Sequence, residues 1–252
     1  MKRKLAAVVM TLVLLLGLPL QAFAEETTQP TQATQTTETQ PEETQPEETQ
    51  PIEIRETISI SIAEDLVALG ENCSLDTWSL DKRVVLEADI SLRGVDFEPI
   101  ATFGGIFEGN GHVISDLNLT GDFAPAGLFG IVQSTGRIRN LTVEGTVEPG
   151  GEGSNAGGIV GENYGRLENC AFSGTVTGKR NTGGIAGSNY GTLNGCSAEG
   201  SLTGSNRTGG IAGYNLGAIV SSKNRAYVNI ESTDPAIDLD DLSFEFSLDL
   251  SK

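Results

Sequence analysis

The stretch "NAGGIVGENYGRLENCAFSGTVTG", residues 155–178, is followed by "NTGGIAGSNYGTLNGCSAEGSLTG", residues 181–204. Their common core begins at Gly157 ("GGIVGENYG"), returns at Gly183 ("GGIAGSNYG") and again at Gly209 ("GGIAGYNLG"), two successive intervals of 26 residues. A looser copy, "AGLFGIVQSTGRIRNLTVEGTV", occupies residues 126–147 and is joined to the next by the longer connection "EPGGEGSNA". A fixed short period is the signature of a repeat architecture, in which each unit buries its apolar residues against its neighbours.

Within a unit the apolar positions are brief and strand-like: Ile159 and Val160, then Leu167, Cys170 and Phe172, then Val176, each run ended by Gly or Asn. No segment of the repeats holds a 3.6-residue apolar spacing over ten residues, so helices are excluded there. Of the 32 glycines, all but Gly17 lie between Gly70 and Gly217, a density that requires tight turns or close chain approach. These features predict an all-β chain, a short right-handed parallel β-helix (solenoid) of 26-residue coils whose equivalent residues stack about 4.8 Å apart. Leu141, Cys170, Cys196 and Ser222 then share one column, and Val143, Phe172, Ala198 and Asn224 another, both inward in the middle coils. The polar residues in the fourth copy mark the end of the array. Asn163, Asn189 and Asn215 form a third column, read as a ladder of side-chain amides that satisfies turn backbone groups.

Before the repeats, "FGGIFEGNGHVISDLNL", residues 103–119, contains two strand-like runs joined by a tight turn at Asn110 and Gly111. Residues 83–92, "RVVLEADISL", alternate like another strand. Together they predict one or two irregular coils at the start. "SIAEDLVALGEN", residues 61–72, places Ser61 and Glu64 at capping-box spacing and predicts a small N-terminal capping helix. At the far end, "LSFEFSLDL" alternates strictly, with Leu242, Phe244, Phe246, Leu248 and Leu250 on one face. Its expected role is a cap on the last coil; donation of the strand to another protein is the alternative.

The "GG-I-x-G-x-N-x-G" units ending in "NC...G.V.G" resemble GLUG repeats, found in bacterial surface and secreted proteins that include immunoglobulin A-cleaving metallopeptidases. "PIATFGGIFEGNGHVISDLNL" resembles the segment that introduces such arrays. The resemblance covers about residues 60–230 and implies a β-helix outside the cell. It departs in the fourth unit, at "SSKNRAYVNI", and the peptidase signature HExxH is missing from the sequence, so zinc-peptidase activity has nothing here to rest on.

The chain begins with Lys2, Arg3 and Lys4, an apolar run over residues 5–20, and "QAFA", the pattern of a signal peptide ending at residue 24. The run is shorter than the roughly 20 apolar residues of a spanning helix, so no transmembrane segment is expected in the mature chain. Residues 25–56 are a Thr/Gln/Glu/Pro-rich linker expected to be disordered. Residues 57–125 form the N-terminal cap and first coils, 126–230 the GLUG-like coils, and 231–252 an acidic tail with a capping strand. Of the formal charge of -18, the linker holds -8 and the tail -6. Such a balance repels nucleic acid and anionic lipid.

Candidate chemistry is sparse. His112 follows the Asn110–Gly111 turn and reads as a strand residue. Glu108, Asp116 and Asp122 cluster in sequence, but glycoside hydrolysis requires two carboxylates on one cleft, and no pattern predicts that they converge. No cofactor and no metal site is expected. Cys170 and Cys196 stand as neighbours in adjacent coils and are open either to a disulfide or to a pair of buried thiols. Tyr164 and Tyr190 share a column after the first strand and are the candidate ligand-binding residues, because an aromatic face suits a sugar ring; packing between coils is the alternative. The sequence therefore predicts a non-enzymatic secreted or cell-surface module that recognises a glycan or protein. The rival expectations are a secreted polysaccharide-degrading enzyme and a piece of a larger surface protein.

Overall fold

A computed structural model describes residues 53–151 and 155–230. The signal peptide, nearly all of the linker, and the tail with its strand at 242–250 lie outside the described residues. The described chain is a parallel β-solenoid built on four faces. The first face stacks seven strands: Glu56–Ile60, Lys82–Leu86, Ile106–Glu108, Arg137–Arg139, Arg166–Glu168, Thr192–Asn194 and Ala218–Val220. The second runs from Ile90–Ser91 through Val113–Leu119, Thr142–Val147 and Ala171–Gly178 to Ser197–Gly204, on which Lys223–Asn224 and Tyr227–Ile230 both pair. The third holds Asn155–Gly157, Asn181–Gly183 and Arg207–Gly209, and the fourth Ile100–Phe103, Phe129–Val132, Val160–Asn163, Ala186–Asn189 and Ala212–Asn215.

Register on the first face shows how regular each coil is. Successive partners are separated by 26 residues (Glu56 to Lys82), 23 (Arg83 to Ile106), 31 (Ile106 to Arg137), 29 (Arg137 to Arg166) and then twice 26 (Arg166 to Thr192 to Ala218). On this face the variation falls between strands, because a shift inside a strand would carry its apolar residues to the opposite face; on the second face Val113–Leu119 carries one such irregularity, between Ile114 and Leu117. Three strands of this face precede Arg137–Arg139, where one or two irregular coils were expected. The additional strand, Glu56–Ile60, begins within the stretch assigned to the linker.

Two local expectations are corrected. Residues 83–92 are not one strand: the chain bends at 87–89 to pass from the first face to the second. The helix Ala63–Asn72 is present, but Ser61 and Glu64 do not cap it. Asp65 does, its carboxylate accepting the backbone N–H groups of Ser61 (2.9 Å) and Ile62 (3.2 Å). These are free donors at a helix start, where negative charge is favoured. The helix buries Leu66 and Leu69 and packs on Glu56–Ile60 and Ile100–Phe103, covering the N-terminal end of the core.

The columns appear as anticipated. Leu141, Cys170 and Cys196 are buried, as are Val143, Phe172 and Ala198, whereas Ser222 is half-buried and Asn224 exposed where the array ends. The early coils are filled by large rings, with Phe103, Phe107 and Phe129 packed at centroid distances of 5.4–6.1 Å. One glycine column shows why the repeat cannot admit side chains. Gly145, Gly174 and Gly200 lie in register on the second face at φ +153°, +152° and +110°, and a Cβ on Gly174 would stand 1.9 Å from the carbonyl oxygen of Gly145. That oxygen belongs to backbone held by the ladder on both sides, so neither partner can yield.

Cys73, Cys170 and Cys196 are all free and buried in this structure. The Cys170 Sγ donates to the Glu168 carbonyl (3.3 Å), and the Cys196 Sγ reaches the Asn194 carbonyl at 3.6 Å. The neighbouring Cys196 sulfur and burial hold the Cys170 thiol well above its ordinary range; burial pushes the Cys73 thiol up to about 12. Among the described residues no helix is long and apolar enough to cross a membrane.

Two outcomes follow. Gly174→Ala is expected to cost about 3 kcal/mol or more in denaturant unfolding, from overlap with backbone at a positive φ; an unchanged midpoint would contradict the column. All three thiols are expected to resist alkylation in the native protein and to label together after denaturation without reductant, because burial shuts the reagent out of all three and leaves Cys73 and Cys170 little thiolate. Labelling of Cys73 alone would instead reveal a bridge.

Candidate functional site

The N-x-G corner between the fourth and first faces builds the site. Asn163 accepts the Gly165 N–H at its Oδ1 (3.1 Å) and donates from Nδ2 to the Asn189 Oδ1 (2.7 Å); Asn189 repeats the step to Asn215 (2.7 Å). Asn163 and Asn189 are fully buried, and each rung supplies hydrogen bonds to groups that water cannot reach. The expected amide ladder is thus in place. Its consequence lies at the residue between Asn and Gly, which is turned outward while its own N–H is tied to the coil before. Tyr164 donates to the Val132 carbonyl (2.8 Å), Tyr190 to Asn163 (2.7 Å) and Leu216 to Asn189 (2.8 Å).

Tyr164 and Tyr190 therefore lie one above the other, centroids 4.8 Å apart and planes 8° from parallel. They are 43% and 39% exposed, enough to meet a partner. Stacking along the solenoid axis has a chemical consequence: the inner ring faces cover each other, and the exposed surface comes mainly from edges and hydroxyls. Tyr214 closes the opposite face of the pair, 6.1 Å from Tyr190 at 70°, with the Arg207 guanidinium 4.7 Å from its ring centroid. Beyond Tyr164, in the direction of the earlier coils, lies a groove of about 410 Å³ lined by Leu80, Ile131, Gln133, Ser134 and Thr135 together with Tyr164 itself. This is where an aromatic ring borders open space.

A second corner supports the tyrosines. Asn155 Nδ2 donates to Glu162 Oε1 (2.5 Å), and Glu162 Oε2 accepts the Tyr164 hydroxyl (3.1 Å). One coil on, Asn181 donates to Ser188 (3.0 Å), and in the next the same pair of positions is Arg207 and Tyr214. Burial, then the Glu162 charge, raises the Tyr164 hydroxyl above its ordinary pKa, so it stays a neutral donor to the carboxylate. The turn near Arg207 was expected, with Tyr190, among the outward positions that could meet a partner; Tyr214 was not, because its column holds Glu162 and Ser188 and no recurring aromatic marked it.

The other candidates separate. Glu108 is buried on the first face, paired with Arg139 and 3.7 Å from Arg83. Asp116 lies on the second face, bonded to Ser91 (2.7 Å) and Arg93 (3.2 Å), which hold its carboxyl below the usual carboxylate range. Asp122 lines a different groove of about 440 Å³, with Asp76, Glu98 and Phe123. His112 stands just before the strand Val113–Leu119 rather than in it, its Nδ1 3.0 Å from the Asp89 carboxylate, which also accepts the Val113 N–H (3.0 Å). It fastens the turn to the previous coil. Among the described residues no group of His, Cys, Asp and Glu is arranged to hold a metal ion.

Comparison with known proteins agrees with this architecture. The GLUG motif family matches residues 152–177, the unit that supplies Tyr164 and Glu162. Halomucin from Haloquadratum walsbyi is 40% identical over 82 residues, which is 32% of this chain and 1% of halomucin. A solved immunoglobulin A1 protease-like protein from Bacteroides ovatus superposes with a TM-score of 0.51 at 22% identity, over 68% of this chain and 66% of that one, a likeness of fold. The chain is thus a GLUG-bearing β-solenoid that spans a small part of one relative and about two thirds of the other.

Replacing Asn189 by Ala removes the central rung and leaves buried partners unmatched; the expected cost is about 1–3 kcal/mol. Near-ultraviolet circular dichroism should lose tyrosine signal in the same variant, as the Tyr164–Tyr190 stack loosens. A full-strength signal would mean that the ladder does not position the rings.

Proposed function

We propose that the chain is a non-enzymatic secreted or cell-surface module that recognises a glycan or protein ligand along the file of Tyr164, Tyr190 and Tyr214. The observation that carries this reading is an exposed pair, Tyr164 and Tyr190, fixed by a buried ladder, bordered by a groove and continued by the half-buried Tyr214, on a scaffold whose singled-out carboxylates point to separate places. Tyrosine suits recognition because it offers a large, rigid apolar area and a polar edge at small entropic cost. The GLUG match and the similarity to halomucin accord with a surface β-helix module. Since Tyr164 lines the groove, apolar stacking with a sugar is assigned to that ring, and hydrogen bonding to the hydroxyl edges of Tyr190 and Tyr214.

The second reading, a polysaccharide-degrading enzyme, draws on the groove that carries Asp76, Glu98 and Asp122. Two carboxylates flanking one bond are its requirement, and turnover that disappears in Asp122→Asn would establish it.

The deciding experiment is a glycan and protein binding screen of the full chain, with product analysis on every ligand found. Binding without bond cleavage is expected, and Tyr164→Ala is expected to weaken it at least about tenfold, the scale of one lost aromatic contact, at an unchanged melting midpoint. Undiminished binding by that variant would remove the site, and cleavage of the ligand would remove the function.

A further inference from the structure

Among the described residues, the C-terminal end of the solenoid is open. Ile138, Leu167 and Leu193 form a fully buried column, and Ile219 continues it at 39% exposure; Ile211 likewise follows the buried Ile159 and Ile185 but is only half-buried. Leu216, Val220, Tyr227 and Ile230 are more exposed still, at 47–73%. Exposed strand edges and apolar surface together favour association unless something covers them.

We propose that residues 242–250 of the same chain cover this end, laying Leu242, Phe244, Phe246 and Leu248 over Ile211, Ile219 and Val228. Three observations select this occupant. The segment begins 12 residues after Ile230, close enough in the chain to return to the last coil, and alternates strictly, so all its large apolar residues share one face. The terminal coil, residues 205–230, carries Arg207, Lys223 and Arg225, all exposed, and no acidic residue, whereas residues 231–252 hold seven acidic residues and one lysine. Opposite charge therefore draws the acidic tail to this coil, which carries a net +3. Finally, an eighth coil at the 26-residue period would put Glu245 on the inward column after Ile219, with Phe244 and Phe246 outward. Continued at that period, the segment would turn its charged face inward, whereas a closing strand turns its apolar face onto the core.

The test compares the full chain with the full-length variant carrying Phe244→Asp and Phe246→Asp, by hydrogen exchange and sedimentation. In the unaltered chain the amides of residues 211–220 are expected to exchange at least about tenfold more slowly than in the variant, independently of protein concentration, in a monomer. The variant is expected to melt at a temperature lower by about 5 °C and to self-associate. Equal exchange in the two chains would overturn the proposal, and it would also fall if protection rose with concentration alongside a dimer, the outcome for a second copy at the open end. Should the variant fail to fold, fast, coil-like exchange at 211–220 in the unaltered chain alone still refutes the cap.

Discussion

Every feature of this molecule depends on one constraint: in a parallel solenoid each residue stacks on its equivalent one coil away, at the spacing between adjacent strands. Like therefore meets like, and only certain likenesses are tolerable. Apolar residues in file make a continuous core, as Ile138, Leu167 and Leu193 do. Glycines in file allow backbones to approach where no side chain fits, as Gly145, Gly174 and Gly200 do. Like charges in file would repel if buried, and where they occur, at Arg137 and Arg166, they stand at the surface. Asparagine is the polar residue best suited to the interior, because its amide donates to the next copy and accepts from the previous one.

The same constraint turns a structural repeat into a surface pattern. The amide ladder spans the corner, and whatever stands between Asn and Gly is presented outward at the coil spacing. Tyrosine in two successive units gives a stack; leucine in the third ends it at Leu216. The chemistry displayed is thus independent of the ladder that holds it, which lets a single scaffold carry different outward residues.

That separation also explains what the sequence disclosed. The 26-residue columns were legible because the units can be compared with one another: the inward positions of Cys170 and Cys196 and the ladder of Asn163, Asn189 and Asn215 follow from repetition alone. The opening coils have no such internal reference. Glu56–Ile60 straddles the boundary between the spacer and the first coils and is recognised as a strand only when paired with Lys82–Leu86, a relation of register that no local pattern reveals. The capping role of Asp65, the bend at 87–89 and the dispersal of Glu108, Asp116 and Asp122 over different surroundings likewise depend on where the chain turns between faces. Tyr214 escaped notice because its column is varied, and the Tyr164–Tyr190 contact disclosed proximity without showing that the rings would hide their inner faces.

Because a solenoid's coils touch only their neighbours, disorder enters it from an end and travels coil by coil. Tyr164, Tyr190 and Tyr214 belong to three successive coils, the last of them the terminal one. A ligand lying along the file would be a splint: it would tie the outermost coil to two that are better protected, and the loss of order at that end would require breaking the ligand's contacts as well. Occupancy and local order at this end would then rise together, so that the part of the surface closest to fraying is also the part a bound ligand would hold most effectively.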